Sequence, residues 1–190
     1  MRPLHAISPP FRTRTGRWTL AARVLACLCL GMLAGCATTA PAGDPSAALT
    51  FVVVRHAEKA SDDPRDPSLS QAGQIRAQAL ARLLADEPLT AAHATGYRRT
   101  QQTAQPAADA HSLRLTLYDA QLPATTLASQ LRASYRRGTV LVVGHSNTVP
   151  DIAAALSGQT VQAMTDDQYG LIYRIAIDAD GKATLSRQTY

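Results

Sequence analysis

Two mostly apolar runs, at residues 49–54 and 139–143, are the clearest features of the chain beyond its first quarter. Runs of this length bounded by polar segments are typical of strands buried on both faces of a sheet. Weaker strand patterns cover residues 92–95 and 113–118. The chain therefore predicts a sheet whose central strands are inaccessible to solvent.

Four segments between and after these strands show the spacing of helices. The first is capped by Ser70 and ends near Asp86, before Pro88. Its predicted inner face carries Ile75, Leu80, Leu83 and Leu84. The other three helices are predicted over residues 97–110 with Pro106 inside, from Pro123 to the stop at Gly138, and over 147–156.

The end of the chain predicts an antiparallel hairpin. Residues 170–177 and 183–189 have strand patterns and flank the turn sequence Ala179-Asp180-Gly181-Lys182. Strands that alternate with helices indicate an α/β fold. We therefore expect a mostly parallel sheet flanked by helices, with the hairpin as its antiparallel edge.

The positive charge of the chain is confined to its start. Residues 1–35 contain five arginines and no acidic residue, whereas residues 36–190 carry equal numbers of basic and acidic groups. Without the first segment no basic surface is left, which argues against a nucleic-acid partner. All three cysteines lie at positions 27, 29 and 36, so neither a disulfide nor a catalytic cysteine is expected further along.

The first segment has the layout of an export signal. Its apolar run, residues 24–34, is shorter than the roughly 20 residues that cross a bilayer. The run ends in Leu33-Ala34-Gly35-Cys36, which resembles the lipobox of bacterial lipoproteins. The resemblance implies a signal peptide over 1–35 and acylation of Cys36. The alternative is an ordinary signal peptide cut after a small residue.

The lipoprotein resemblance also has consequences for localisation and domain organisation. Ala37 after the cysteine implies an anchor in the outer membrane, with the protein facing the periplasm. Residues 36–48 carry no large apolar side chain and are expected to form a tether. The folded domain is then expected over 49–190.

Candidate chemistry lies where the two buried strands end. The first runs into Arg55-His56 and the second into Gly144-His145. Because ligands of open α/β sheets bind outside the carboxyl ends of the strands, these side chains are expected to meet. A metal site would want a third histidine or a carboxylate and would be opposed by the arginine.

A serine hydrolase is a further alternative for the same strand ends. Ser146 lies in Gly-His-Ser-Asn-Thr, which lacks the Gly-x-Ser-x-Gly turn of such enzymes. An anion site, by contrast, uses both histidines and the arginine. His93 and His111 are expected at partly exposed positions without a catalytic role.

Four ordered motifs resemble the histidine phosphatase superfamily: Arg55-His56, Leu69-Ser70-x-x-Gly73, Arg99-Thr100-x-x-Thr103-Ala104 and Gly144-His145. The resemblance implies that His56 is a nucleophile that forms a phosphohistidine. It also implies that Arg55, Arg99 and His145 complete a phosphate pocket that needs no metal or cofactor. For Ser70 and Gly73 we favour a helix cap and a packing position.

The proton donor to the leaving oxygen is less well defined by the sequence. Gly144 follows Ala104 by forty positions, which is too few for a large cap, so the chain resembles the small phosphohistidine phosphatases and the compact phosphatases of the family. Asp119 after a predicted strand is the first candidate and Glu58 the second. The expected substrate is a phosphorylated small molecule or a phosphoprotein. A non-catalytic lipoprotein that binds phosphorylated ligands is the alternative, although binding alone does not need a free nucleophile.

Overall fold

The computed structural model describes residues 49–190, so the predicted signal peptide, Cys36 and the whole predicted tether lie outside the described residues. Strands and helices alternate over most of this range. The strands are β1 (Leu49–Arg55), β2 (Leu89–Thr95), β3 (Leu115–Tyr118), β4 (Gly138–Gly144), β5 (Leu171–Ile177) and β6 (Ala183–Thr189). The helices are α1 (Gln71–Leu83), α2 (Arg98–Ala110), α3 (Ala124–Ser134) and α4 (Val149–Ser157).

All six strands belong to one sheet with the order β3-β2-β4-β1-β5-β6. β1, β2, β3 and β4 are parallel, whereas β5 pairs antiparallel with both β1 and β6. The predicted α/β class, the mostly parallel sheet and the C-terminal hairpin are confirmed. The two predicted buried strands, β1 and β4, are central neighbours, and their register pairs Arg55 with Gly144.

The sheet separates two apolar cores. Alternate residues of β1 contribute to each: Phe51 and Val53 pack with α3 and α4, and Val52 and Val54 pack with α1 and α2. All four side chains are fully buried. Burial on both faces explains why these strands are apolar at consecutive positions.

The inner face of α1 differs from the sequence prediction. Ser70 caps the helix as expected, since its Oγ accepts a hydrogen bond of 3.1 Å from the backbone N–H of Gly73. Leu80 and Leu84 are buried, but Ile75 is 61% exposed and Leu83 42% exposed. The reason is close packing: the buried residues of α1 are Gly73, Ala77, Leu80 and Ala81, and the absence of a side chain at Gly73 allows the helix to approach the backbone of Glu58 after β1.

Two helix ends also differ from the predicted bounds. α3 ends at Ser134 rather than at Gly138, which begins β4 with a φ of +82°. α4 begins at Val149 rather than at Asn147, after a turn in which the N–H groups of Thr148 and Val149 bond to the carbonyl of His145. α2 keeps Pro106 inside without ending there.

Among residues 49–190, no helix combines the length and apolar character needed to span a bilayer.

Candidate active site

The carboxyl ends of β1, β4 and β2 meet at a pocket of about 270 Å³. His56 follows β1 and His145 follows β4, and their ring centroids are 5.5 Å apart. Arg55 and Arg99 line the same pocket. The structure thus brings together the four residues that the sequence predicted for a phosphate site.

The imidazole of His56 is fixed in one tautomer. Its Nδ1 lies 2.8 Å from the carbonyl oxygen of Ala57, which can only accept a hydrogen bond, so Nδ1 carries the proton. Burial lowers the pKa of His56 to about 3, and Arg55 and Arg99 contribute further while the Ala57 hydrogen bond opposes the shift. The neutral ring therefore presents an unprotonated Nε2 near pH 7.

Burial, rather than the neighbouring cations, is the larger reason for this neutrality. Removal of the ring from water lowers the pKa of His56 more than the neighbouring guanidinium groups do. The same holds for His145, whose pKa burial lowers to about 4, with additional contributions from Arg99 and Arg55. Both imidazoles are uncharged at neutral pH in the pocket as described.

Arg55 is held by the loop that leads into β5. Its Nη1 donates to the carbonyl oxygens of Asp166 at 3.0 Å and Thr165 at 3.3 Å. Its guanidinium also stacks on the ring of Tyr169, 4.0 Å from the centroid. These contacts leave Nε buried and without a partner among the described residues. Arg55 is thus a rigid cation with donor capacity left for an anion.

Arg99 lies in the first turn of α2 and faces the pocket. Its guanidinium stacks 4.2 Å from the ring centroid of Tyr97, and its Nε and Nη1 have no hydrogen-bond partner in the described part of the chain. The carboxylate of Asp66 lies 3.7 Å from Nη1, beyond hydrogen-bond distance. Arg98, one residue earlier, is half-exposed and pairs with Asp62 at 3.5 Å. Two buried arginines with unused donors form a strong site for an oxyanion.

Small and hydroxylated residues pack around the backbone segments that carry the pocket residues and hold these segments in place. Thr103 Oγ1 accepts a 2.9 Å hydrogen bond from the N–H of Ala57 and donates to the carbonyl of Arg99 at 2.7 Å, which ties the β1 loop to α2. A Cβ at Gly73 would lie 2.3 Å from the carbonyl oxygen of Glu58, so Gly73 is a packing position as predicted. A Cβ at Gly144 would lie 3.0 Å from Thr148 Oγ1, so this position is tightly packed.

The two predicted proton donors lie outside the lining of the pocket. The carboxylate of Asp119 is exposed and accepts a 2.9 Å hydrogen bond from the N–H of Gln121. Glu58 forms a bidentate pair with Arg76, which holds the pKa of its carboxyl below the usual range and opposes a role as an acid. Asp166 lines the pocket with an exposed carboxylate, 3.5 Å from Ser146 Oγ. The role of Asp119 stays a prediction.

The two other histidines within residues 49–190, His93 and His111, do not line this pocket. His93 is buried in β2 and contacts Tyr135 through its Nε2 at 2.8 Å, rather than being partly exposed as predicted. His111 lies at the end of α2 and contacts the carbonyl of Leu84 at 2.9 Å. Within residues 49–190, no three His, Cys, Asp or Glu side chains are grouped so that they could hold a metal ion.

Sequence reasoning missed several residues of the site. Tyr97, Asp166 and Tyr169 support or line the pocket, and Thr95 contacts His145. Thr95 and Tyr97 lie shortly before Arg99 in the sequence. Their closeness to a predicted site residue could therefore have indicated them. Asp166 and Tyr169 lie in a loop more than 100 residues from Arg55, and no pattern in the sequence connects them.

Comparison with known families agrees with this arrangement. Residues 51–122 match the model described as the histidine phosphatase superfamily, branch 1. The matched region includes Arg55, His56 and Arg99, and His145 lies beyond it. The described fold is similar to that of a solved protein histidine phosphatase. No curated protein matches the chain significantly.

Solved structures of several phosphatases are similar in fold over about three quarters of this chain. The protein histidine phosphatase SixA complexed with tungstate is 20% identical with a TM-score of 0.58, over 74% of this chain and 96% of that one. Phosphoserine phosphatase from Entamoeba histolytica, in complex with 3-phosphoglyceric acid, is 13% identical with a TM-score of 0.57, over 75% and 98%.

A mycobacterial glucosyl-3-phosphoglycerate phosphatase, in complex with VO3, is 15% identical with a TM-score of 0.56, over 74% and 98% of the two chains. At these identities the likeness is one of fold. The likeness does not identify a substrate for this chain.

Proposed function

We propose that the protein is a phosphomonoester phosphatase that acts through a phosphohistidine on His56, without a metal ion. The observation that carries the proposal is the tautomer of His56: its proton is on Nδ1, bound to Ala57, so that Nε2 is free. Arg55 and Arg99 line the same pocket, and each has buried guanidinium nitrogens without a hydrogen-bond partner in the described range. A site for anion binding alone would not need an unprotonated nitrogen among its cations.

The proposed reaction has two steps. Nε2 of His56 attacks the phosphorus atom, the N–P bond forms, and the bond from phosphorus to the leaving oxygen breaks as that oxygen takes up a proton from solvent or an acid donor. Water then attacks the phosphorus and the N–P bond breaks, so that phosphate is released and the proton lost by the water passes to solvent. Arg55 and Arg99 stabilise the charge on the equatorial oxygens in both steps, which is the main requirement of phosphoryl transfer.

Assays of the purified protein test the proposal directly. A panel of phosphorylated metabolites, sugars and peptides should include substrates that are hydrolysed to phosphate. Addition of a chelator should leave the rate unchanged, because no step uses a metal. Complete inactivation by the chelator, with recovery on addition of a divalent cation, would contradict the metal-independent mechanism.

The carboxylates near the pocket favour a second candidate, a phosphohistidine or phosphoprotein phosphatase. Asp119 and Glu58 do not line the pocket, and Asp166, which does, is exposed at 97% of its side chain. A pocket without a shielded carboxylic acid is better suited to a substrate whose leaving group departs without protonation than to one that leaves as an alkoxide. Phosphohistidine, whose leaving group is an imidazole, meets this requirement.

The dependence of the hydrolysis rate on the leaving group should identify any carboxylate that acts as the proton donor. If Asp119 is the donor, Asp119→Asn should slow an alkyl phosphate strongly and barely affect a nitrophenyl phosphate, whose phenol leaves unaided. Rate measurements on both substrates check this, with Glu58→Gln and Asp166→Asn as matched comparisons. Equal losses on both substrates would indicate a structural role. An unchanged alkyl rate in all three variants would favour phosphohistidine-like substrates.

We further propose that the protein is a lipoprotein anchored through Cys36 and facing the periplasm, in the outer membrane. The support is the sequence Leu33-Ala34-Gly35-Cys36 after a short apolar run. Cys36→Ser should move the protein from the membrane fraction to the soluble fraction of the envelope, as measured by fractionation and blotting. Retention of Cys36→Ser in the membrane would mean that the apolar run itself is the anchor.

A further inference from the structure

Three buried side chains form a row behind the pocket. Thr95, at the end of β2, and Thr100, in the first turn of α2, are both fully buried. Thr95 Oγ1 lies 2.8 Å from Thr100 Oγ1 and 3.1 Å from Nε2 of His145. The row therefore connects the start of α2 to the imidazole through hydrogen bonds of ordinary length.

Counting protons gives these hydrogen bonds a direction. Thr100 Oγ1 also lies 3.0 Å from the carbonyl oxygen of Thr95 and 2.8 Å from that of Tyr97, and both carbonyls can only accept. The single hydroxyl proton of Thr100 is therefore directed at these carbonyls, and Thr95 donates its own proton to Thr100 Oγ1. Thr95 can then only accept from the imidazole, so Nε2 of His145 carries a hydrogen.

This direction leaves Nδ1 of His145 with a lone pair. A neutral imidazole has one ring proton, and burial keeps the ring neutral at pH 7 by lowering the pKa of His145 to about 4. A dianionic phosphoryl group offers only lone pairs to such a nitrogen. The contact becomes favourable when a proton from solvent is added at Nδ1, since an N–H donor then faces a charged oxygen.

We propose that Thr95 and Thr100 are positioning residues that hold His145 as the Nε2–H tautomer, so that the imidazole takes up one proton when a phosphoryl group binds. The inference rests on the proposed function, because it needs a phosphoryl group in the pocket. The monoanion of a phosphomonoester brings the required proton itself, and the dianion draws it from solvent.

The charges around His145 explain why the proton enters only with the ligand. The titratable groups that line the pocket with His145 are His56 and Tyr97, whose rings contact its imidazole, and Arg55, Lys59, Arg99 and Asp166. Among the cations, Arg99 and Arg55 oppose an imidazolium at His145. A bound phosphoryl dianion neutralises both guanidinium groups and removes this opposition.

Calorimetry with methylphosphonate tests the inference, because its dianion, like that of a phosphomonoester, carries no O–H that could donate to Nδ1. Titrations well above the second pKa of this phosphonate, in two buffers of different ionisation enthalpy, should show uptake of close to one proton by the parent protein. The affinity of the parent should accordingly fall about tenfold per pH unit in this range. In Thr95→Val the ring is free to adopt the Nδ1–H tautomer, so proton uptake and the pH dependence should be largely lost. Thr95→Ser, which keeps the hydroxyl, should restore both.

Two results would overturn the inference. Proton uptake in Thr95→Val equal to that of the parent would place the proton on His56, whose tautomer does not depend on Thr95. Imidazole nitrogen NMR of the free parent protein, with His145→Gln for assignment, would overturn it by showing a protonated Nδ1, even if Thr95→Val fails to fold.

The same experiment separates the two proposals. Methylphosphonate binding with proton uptake, but without hydrolysis of any phosphomonoester, would contradict the proposed function alone. Hydrolysis together with methylphosphonate binding that takes up no proton would contradict the positioning role alone. Absence of methylphosphonate binding in the parent would contradict both.

Discussion

Replacement of His56 by alanine is expected to abolish turnover and leave the domain folded. The imidazole lines the pocket and belongs to neither of the two apolar cores. Its Nε2 is the proposed attacking atom, and loss of a covalent nucleophile lowers turnover by about four orders of magnitude or more. The rate with nitrophenyl phosphate measures the loss, and thermal unfolding by circular dichroism checks the fold.

Trapping of the intermediate complements this substitution. The parent protein, mixed rapidly with labelled substrate and quenched without acid, should carry label that acid releases, because the N–P bond of phosphohistidine is acid-labile. His56→Ala should carry none. Label that survives acid would indicate a phosphate ester on another residue. A His56→Ala variant with parent-like turnover would place the nucleophile elsewhere.

Loss of Arg99 is the second large effect that the structure predicts. Its guanidinium is buried against Tyr97 with Nε and Nη1 unpaired, so it is available to the transferring phosphoryl group. Removal of one such donor costs about 10² to 10³ in rate in well-studied oxyanion sites. Arg99→Ala should therefore lower kcat/KM by about that factor. Arg99→Lys should recover only part of it, because lysine keeps the charge without the forked geometry.

The neighbouring arginine supplies a matched control. Arg98 is half-exposed and bound to Asp62 on the outer side of α2. Arg98→Ala removes the same side chain one position away and should change kcat/KM by no more than a few fold. The reverse ranking of the two variants in steady-state kinetics would show that the other arginine serves the pocket.

The phase of α2 illustrates what a short motif can predict. Adjacent helical residues point about 100° apart, so only one of Arg98 and Arg99 can face the pocket, and the motif spacing selected Arg99. The buried face of α1 was predicted wrongly, because large apolar residues such as Ile75 and Leu83 were expected on it. Close packing against the backbone of Glu58, in the loop after β1, instead places small residues such as Gly73 on the buried face.

The proton-donor assignment shows a second limit. Asp119 was selected because it follows a predicted strand, and β3 does end at Tyr118. Its side chain, however, is used to accept from Gln121 in the following turn. Whether a residue at a strand end turns toward the pocket depends on the local turn, which the hydrophobic pattern does not describe.

The sequence by itself determined the α/β class, the two buried strands, and Arg55, His56 and His145 at their ends, because burial on both faces and the polar residues that follow are local patterns. The tertiary structure alone decided which groups surround these residues. The loop before β5 brings Asp166 and Tyr169 to Arg55, and β2 and α2 bring Thr95 and Thr100 to His145. These contacts join distant segments, and they depend on strand order and close packing, which no local pattern specifies.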